Sequence, residues 1–316
     1  MLSKKRTEKK IVVVTRETRI DDLRKRFTSL DQLSFYVETR GGRVKDYLDE
    51  DSAYKGAVSA LSTELQAWGR VQFVDRAFLP NFVFGPADTV VAVGQDGLVA
   101  NTLKYLRDGQ PLIGVNPDPE RIDGVLLPFR VEDLDALLGE VLAGRYRSQA
   151  VTMALARLND GQEILAVNDF FIGPRTHTSA RYWIEWQGKR EQQSSSGVIV
   201  STGLGSTGWL RSLVEGAFGV SAAMAAQGRN SVPNLAMAWD APRLVFTVRE
   251  PFPSRQSSCE LVFGQVDANT PLRLRSLMPE RGVIFSDGVE ADFLEFNSGA
   301  EVEIGVASLK GKLVLR

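Results

Sequence analysis

The chain has 316 residues, 43% of them hydrophobic and 24% charged, the balance of a globular protein long enough for two domains of ordinary size. With 38 Lys plus Arg against 39 Asp plus Glu the net charge is -1, so no global field argues for nucleic acid or a membrane surface as a partner. A single cysteine, Cys259, and a single histidine, His177, exclude an internal disulfide, a metal site built from several Cys and His ligands, and any Ser-His-Asp triad not resting on His177.

No apolar run approaches the roughly 18 residues of a membrane span, and the N-terminus lacks the apolar core of a secretory signal, so a cytoplasmic location is expected. Lys4-Lys5-Arg6 and Lys9-Lys10 surround Glu8 without aromatic interleaving and read as a solvated tail rather than a binding arm. Ile11 to Val14 is a β-branched strand. Residues 38 to 50, rich in charge and Gly, read as a mobile loop, and the spacing of Ala57, Val58, Leu61, Leu65 and Trp68 predicts a helix over 51–68. Val71 to Val74 and Val90 to Val93 are further strands. The latter runs into Gly94-Gln95-Asp96-Gly97, and a helix is expected over 98–108. A glycine turn at a strand's carboxyl end can face anionic oxygens with its backbone N–H groups and the following helix N-terminus. The same residues also read as a plain turn with Asp96 as helix N-cap. Pro111 to Asn116 is a fourth strand and 131–142 a helix. Alternating strands and helices predict a Rossmann-like α/β domain with a mainly parallel sheet over residues 1–150.

Residues 151–316 have a different period. Asn159-Asp160-Gly161-Gln162 joins two apolar stretches, 151–158 and 163–172, as a hairpin would. Alternation in Tyr182 to Trp186, Leu244 to Arg249, Leu272 to Arg275 and Glu301 to Val306 predicts an antiparallel β-sandwich, interrupted by a helix over about 207–226. His177 lies in a turn-rich stretch without acidic neighbours and reads as a loop histidine. Three loops after apolar runs carry polar chemistry: Asn168-Asp169, Gly203-Leu204-Gly205-Ser206-Thr207-Gly208, and Asp287-Gly288. A carboxylate with an amide can bracket a ribose, and a loop of Gly, Ser and Thr suits a nucleotide. Each loop alone also reads as ordinary turn chemistry.

In this order the four loops resemble the NAD kinase family, part of the kinases that carry a Gly-Gly-Asp-Gly signature. Further matches are Ile113 to Arg121, Ser195-Ser196-Gly197, Arg249-Glu250-Pro251 and Glu295 to Ala300, which are similar to the divergent branch holding the mitochondrial animal enzyme. No Arg-rich, acid-poor transit segment is evident. The resemblance implies transfer of a phosphoryl group from ATP, or polyphosphate, to the 2′-hydroxyl of the adenosine ribose of NAD, with Mg²⁺ carried by the ATP and no dedicated metal cage in the protein. It implies Asp96 as catalytic base, Gly94 and Gly97 at the phosphates, Asn116 in support, and Asn168 and Asp169 on the ribose and adenine. Ser206, Thr207, Gly208 and Ser212 would line the nucleotide, with Asp287 beside them. A homodimer or higher homo-oligomer is also implied, with Tyr182, Trp183 and Trp186 offering contact surface, although the two on one face are expected to fill the sandwich core.

The chain departs from the family pattern at Gln95 for Gly, Leu98 for Thr, Asp169 for Glu and Leu204 for a small hydroxyl residue. A positive φ at Gln95 would cost roughly 1 kcal/mol or more, and Asp169 shortens the reach to a ribose by about 1.5 Å. Two alternatives follow: a catalytically silent NAD-binding homologue, and a lipid or sphingoid-base kinase, which would need a deep apolar acceptor pocket.

Overall fold

In chain order the first half of the protein runs β1 (Lys10–Thr15), α1 (Arg19–Arg24), α2 (Leu30–Glu38), α3 (Val44–Leu65), β2 (Arg70–Asp75), β3 (Thr89–Val93), α4 (Asp96–Leu103), β4 (Pro111–Val115) and α5 (Leu134–Leu142). The computed structural model describes residues 7–225 and 232–316. Lys4 to Arg6 of the basic tail, and Ala226 at the end of the helix expected in the second half, lie outside the described residues. The chain divides into two compact units, one reaching Gln149 and taking in Lys312–Arg316, the other Ala150–Gly311.

The first unit is built on parallel strands in the order β2-β1-β3-β4, and Lys312 and Leu313 pair parallel to Pro111 and Leu112 at the β4 edge. Ile11 to Val14 and Val90 to Val93 are fully buried, as continuous β-branched runs are when helices cover both faces of a parallel sheet. One face packs Ile11, Val13, Val91, Val93 and Ile113 against Leu61 and Leu65 of α3 and Leu134 and Leu138 of α5.

The expected mobile loop at 38–50 is instead mostly helical. Gly41, at φ +78°, turns the chain after α2, and α3 starts at Val44, seven residues before the predicted start at 51. The reason is packing: Val44 joins Ile20, Leu23, Leu33 and Val37 in a cluster of its own, with Tyr47 and Leu48 against it. The charged residues of that stretch occupy the opposite side of a helix, a pattern that looks like a loop when read without the cluster. Helix α3 ends at Leu65, so Trp68 packs from the turn beyond it. Helix α4 is also shifted, beginning at Asp96 rather than 98 and ending at Leu103.

The second unit runs β5 (Ser148–Leu158), β6 (Glu163–Ala166), β7 (Asp169–Pro174), β8 (Ala180–Trp186), β9 (Lys189–Ser195), β10 (Val198–Ser201), α6 (Trp209–Met224), β11 (Leu244–Val248), β12 (Phe263–Val266), β13 (Leu272–Ser276), β14 (Gly282–Ser286), β15 (Val289–Glu295) and β16 (Glu301–Val314). One antiparallel sheet has the order β12-β11-β10-β7-β14-β15, and a second pairs β9, β8, β13 and β16 antiparallel, with the β5-β6 hairpin on β16. Their facing residues, among them Phe170, Ile172, Tyr182, Ile184, Val200, Phe246, Leu274 and Ile304, form one buried core, so the unit is a β-sandwich. Helix α6 lies on the outer side of the first sheet, Trp209 and Leu213 packing on Phe171, Ile199 and Val283.

One sequence expectation is corrected in this unit. The single run 163–172 is broken at Val167-Asn168 into β6 and β7, because those two residues turn their backbone N–H groups to a side chain instead of a strand. Tyr182 fills the core, as expected for the two aromatics on one face: it is fully buried and hydrogen-bonds Ser195 Oγ at 2.7 Å and Gln193 Oε1 at 3.0 Å. Trp186 packs on the same core, while Trp183, on the other face, carries the Arg190 guanidinium 4.7 Å from its ring.

Gly114 of β4 has no room for a side chain, since a Cβ there would lie 2.0 Å from the Leu126 carbonyl oxygen. Gly114→Ala must push the 126–127 backbone away, at a cost of about 1–3 kcal/mol. A fall in the thermal unfolding midpoint is expected; an unchanged midpoint would show that this segment yields without penalty.

Candidate functional site

In the first unit, β3 delivers the chain to Gly94, whose N–H donates to the Val115 carbonyl at 3.2 Å. Gln95 follows with φ −121° and ψ 164°, an extended conformation open to any residue, so no left-handed strain attaches to Gln at this position. Gln95, not Asp96, is the N-cap of α4, and it caps without a side-chain hydrogen bond. Asp96 is therefore the first helical residue, where a carboxylate is favoured by the helix dipole. Its two oxygens accept from consecutive backbone amides, Oδ1 from Leu126 at 2.8 Å and Oδ2 from Val125 at 3.3 Å. A carboxylate has about four lone-pair positions, so this grip orients it and leaves acceptor capacity for a ligand.

Asn116 holds the same segment from its other end. Buried at the end of β4, it donates from Nδ2 to the Ile122 carbonyl at 2.8 Å and accepts from Asp118 N–H at 3.0 Å. Asp96 and Asn116 are thus brought together on one segment, 116–126. Gly97 is exposed, and a Cβ there would meet nothing within 4 Å. Leu98 points inward, 2% exposed, with a δ-carbon 2.9 Å from where a Gly94 Cβ would sit.

The second unit gathers the other predicted residues around the break between β6 and β7. The Asp287 carboxylate accepts from Val167 N–H at 3.0 and 3.2 Å and from Asn168 N–H at 2.6 Å. Asp287 sits at φ +56° and Gly288 at +70°, and the Asp287 N–H donates to the Asp169 carbonyl at 3.0 Å. The loop after β10 packs directly on these residues. Thr202 donates its hydroxyl to the Val167 carbonyl at 2.5 Å and its N–H to the Asn168 carbonyl at 2.9 Å. A Cβ on Gly205 would lie 2.1 Å from the Asn168 carbonyl oxygen. Ser206 is buried and its hydroxyl is engaged within the loop, donating to the Gly203 carbonyl at 2.7 Å and accepting from Met237 N–H at 3.0 Å. Thr207 and Gly208 are exposed at the start of α6, and Ser212, also exposed, donates its hydroxyl to the Gly208 carbonyl at 3.3 Å. Asn168, Asp169, Asp287 and the Gly-Ser-Thr loop therefore form one contact cluster.

Asp169 is the electrostatically unusual member. Burial, and then the Asp287 charge, push its carboxyl up from 3.8 to about 7. Near neutral pH it exists in both forms, able to accept a hydroxyl proton or to donate its own.

A further cluster in this unit was not singled out as a site by sequence. A cavity of about 420 Å³ is lined by Phe171, Trp209, Phe285, Arg249, Ser196 and His177, among others. Phe171 stacks between Trp209, 5.9 Å away with ring planes 7° apart, and Phe285 at 5.0 Å. The Arg249 guanidinium lies 5.5 Å from the Trp209 ring, and its Nε is buried with no hydrogen-bond partner among the described residues. The Ser195-Ser196-Gly197 and Arg249-Glu250-Pro251 matches were the sequence signals pointing there.

No protein-family model matches the chain. Among curated proteins it is 25% identical over 363 aligned residues to human "NAD kinase 2, mitochondrial", covering 92% of this chain and 80% of that one. The rat protein of the same name is 24% identical, with 92% and 83% covered. The chain is thus similar to NAD kinases over most of its length. Solved NAD and NADH kinases share the fold: yeast NADH kinase complexed with NADH superposes with a TM-score of 0.59 at 15% identity, over 98% of this chain and 84% of that one. An NAD kinase from Archaeoglobus fulgidus in complex with ATP gives 0.54 at 15% identity, over 97% and 93%. The α/β unit and the antiparallel sandwich are thus the architecture of the family.

The raised Asp169 carboxyl has a sign that can be checked. The folded state holds this proton up to about 7, whereas the unfolded chain releases it near 3.8, so stability is lost as pH rises through that window, by ~4 kcal/mol at most. Asp169→Asn removes the penalty. The ligand-free variant is expected to unfold at a higher temperature than the parent at pH 8, the gap shrinking toward pH 4; a gap independent of pH would exclude the shift.

Proposed function

We propose that the protein phosphorylates the 2′-hydroxyl of the adenosine ribose of NAD with MgATP, giving NADP and ADP. The observation that carries this reading is the Asp96 carboxylate at the first position of α4, oriented by two backbone amides. Asp96 takes the 2′-hydroxyl proton as the 2′-oxygen bonds to the γ-phosphorus. The bridging bond to the β-phosphate breaks with its electron pair leaving on ADP, and the proton passes on to solvent. Phosphoryl transfer asks for alignment and neutralised charge more than for covalent chemistry. Gly97, whose missing side chain would meet open space, leaves the helix N-terminus accessible to phosphate oxygens. Magnesium arrives with the ATP, held by phosphate oxygens and water.

Asn168 and Asp169 are assigned to the ribose and adenine of NAD, with Thr207, Gly208 and Ser212 lining the nucleotide. Ser206 and Asp287 shape the loops that present them, because their polar atoms already bind backbone. The silent-homologue reading rested on Gln95 and Leu98. The extended backbone of the first carries no left-handed strain, which supports the kinase reading, while the second still lacks the family's hydroxyl.

The test is NADP formation from NAD and MgATP, with NADH as a parallel acceptor. Asp96→Asn is expected to lower kcat about 100-fold to 10,000-fold while NAD still binds. Near-normal turnover in the variant would remove the base role, and a parent that binds NAD without turnover would restore the silent homologue.

A further inference from the structure

Arg16, the first residue after β1, lies beside the Gly94-Gln95-Asp96-Gly97 loop and was not among the residues the family resemblance assigned. Its side chain runs along Gly94: a Cβ there would lie 3.6 Å from Arg16 Nε and 3.7 Å from its Cδ. The surroundings hold it in place. Nη2 donates to Glu50 Oε1 at 2.8 Å, Nη1 donates to the Glu17 carbonyl at 2.9 Å, and the guanidinium lies 4.9 Å from the Tyr54 ring. The Tyr54 hydroxyl accepts from Arg16 N–H at 2.8 Å and donates to the carbonyl of Val93, the residue before Gly94, at 3.2 Å. Burial pushes this phenol up to about 12, so it stays a donor at any working pH.

One feature of this arrangement is incomplete without a ligand. Arg16 Nε is buried and has no hydrogen-bond acceptor among the described residues. An unsatisfied buried donor is rare and costs about 1–3 kcal/mol. The surrounding ion pairs balance: Glu50 binds both Arg16 and Arg19, Lys55 has Asp21 and Asp51, and Lys25 has Glu17, so the open hydrogen bond, and not a surplus charge, is what a ligand would answer.

We propose that Arg16 is a ligand for the polyphosphate of the donor, meeting phosphate oxygens at the Gly94–Gly97 loop, an inference that rests on the kinase function proposed above. The planar fork suits phosphate, and the Glu50 and Tyr54 contacts fix its orientation before the ligand arrives. Nothing in this role requires the adenosine or the NAD to touch Arg16.

The experiment uses the full chain with Arg16→Met and Arg16→Lys. Binding of a non-hydrolysable MgATP analogue, of AMP and of NAD is measured by calorimetry, alongside KM for MgATP and NAD and the unfolding midpoint. Expected is a loss of triphosphate-analogue affinity of about tenfold or more in Arg16→Met, the size of one charge-assisted hydrogen bond. AMP and NAD affinities should stay within about twofold of the parent, with Arg16→Lys intermediate because it keeps the charge without the fork. Equal losses for the triphosphate analogue and NAD, or no loss in a folded variant, would overturn the proposal in favour of a purely structural arginine. Should Arg16→Met fail to fold, the same selective loss must appear in Arg16→Lys. If the parent makes no NADP yet binds the triphosphate analogue in an Arg16-dependent way, the kinase reading fails and the Arg16 assignment stands.

Discussion

The described residues repeatedly place a carboxylate on two consecutive backbone amides of a loop remote in sequence. Asp96 holds Val125 and Leu126 across 29 and 30 residues, Asp287 holds Val167 and Asn168 across 120 and 119, and Glu191 holds Glu260 and Leu261 across 69 and 70. Loop amides that leave a strand need acceptors, and an ionised acceptor makes the stronger bond, about 1.5–3 kcal/mol. Two of these grips hold predicted site residues, one in each unit. One fixes the segment that faces Asp96, and the other opens the gap between β6 and β7 in which Asn168 and Asp169 lie.

The grips have an electrostatic consequence. Asp169 is driven toward neutrality by its burial and then by the Asp287 carboxylate next to it, which two backbone amides hold in place. The family's Glu would carry its charge one methylene further from the backbone. The shorter Asp169 keeps its carboxyl inside the fold, 8% exposed. This substitution thus changes where a proton resides as well as how far a side chain reaches.

The sheet strands of the first unit were legible because β-branched runs buried on both faces have no other use in a protein of this composition. The loops were legible as polar residues placed at strand ends. What escaped was everything set by contacts far apart in sequence. Helices α1 and α2 each bury two residues, and those residues matter only through the cluster they share with Val44. The break at Val167-Asn168 depends on Asp287, more than a hundred residues later. Tyr182 and Trp183 alternate as any strand does, but only the sandwich decides which is core. Arg16 carries no local signal at all, because its importance comes from Gly94, Glu50 and Tyr54.

The departures at the signature loop also bear on how such a loop works. A second glycine is dispensable where the residue is extended, and Gln95 at φ −121° is extended. A Cβ on Gly94 would meet the end of the Leu98 side chain at 2.9 Å, which must shift, and would lie in ordinary contact with Arg16. Leu98, buried where the family has a hydroxyl, turns that contact into apolar packing and withdraws a polar group from the helix's first turn. A loop that loses a hydroxyl donor beside a triphosphate needs a donor from elsewhere. Arg16, poised by Glu50 and Tyr54 against the same glycine, is placed to provide it.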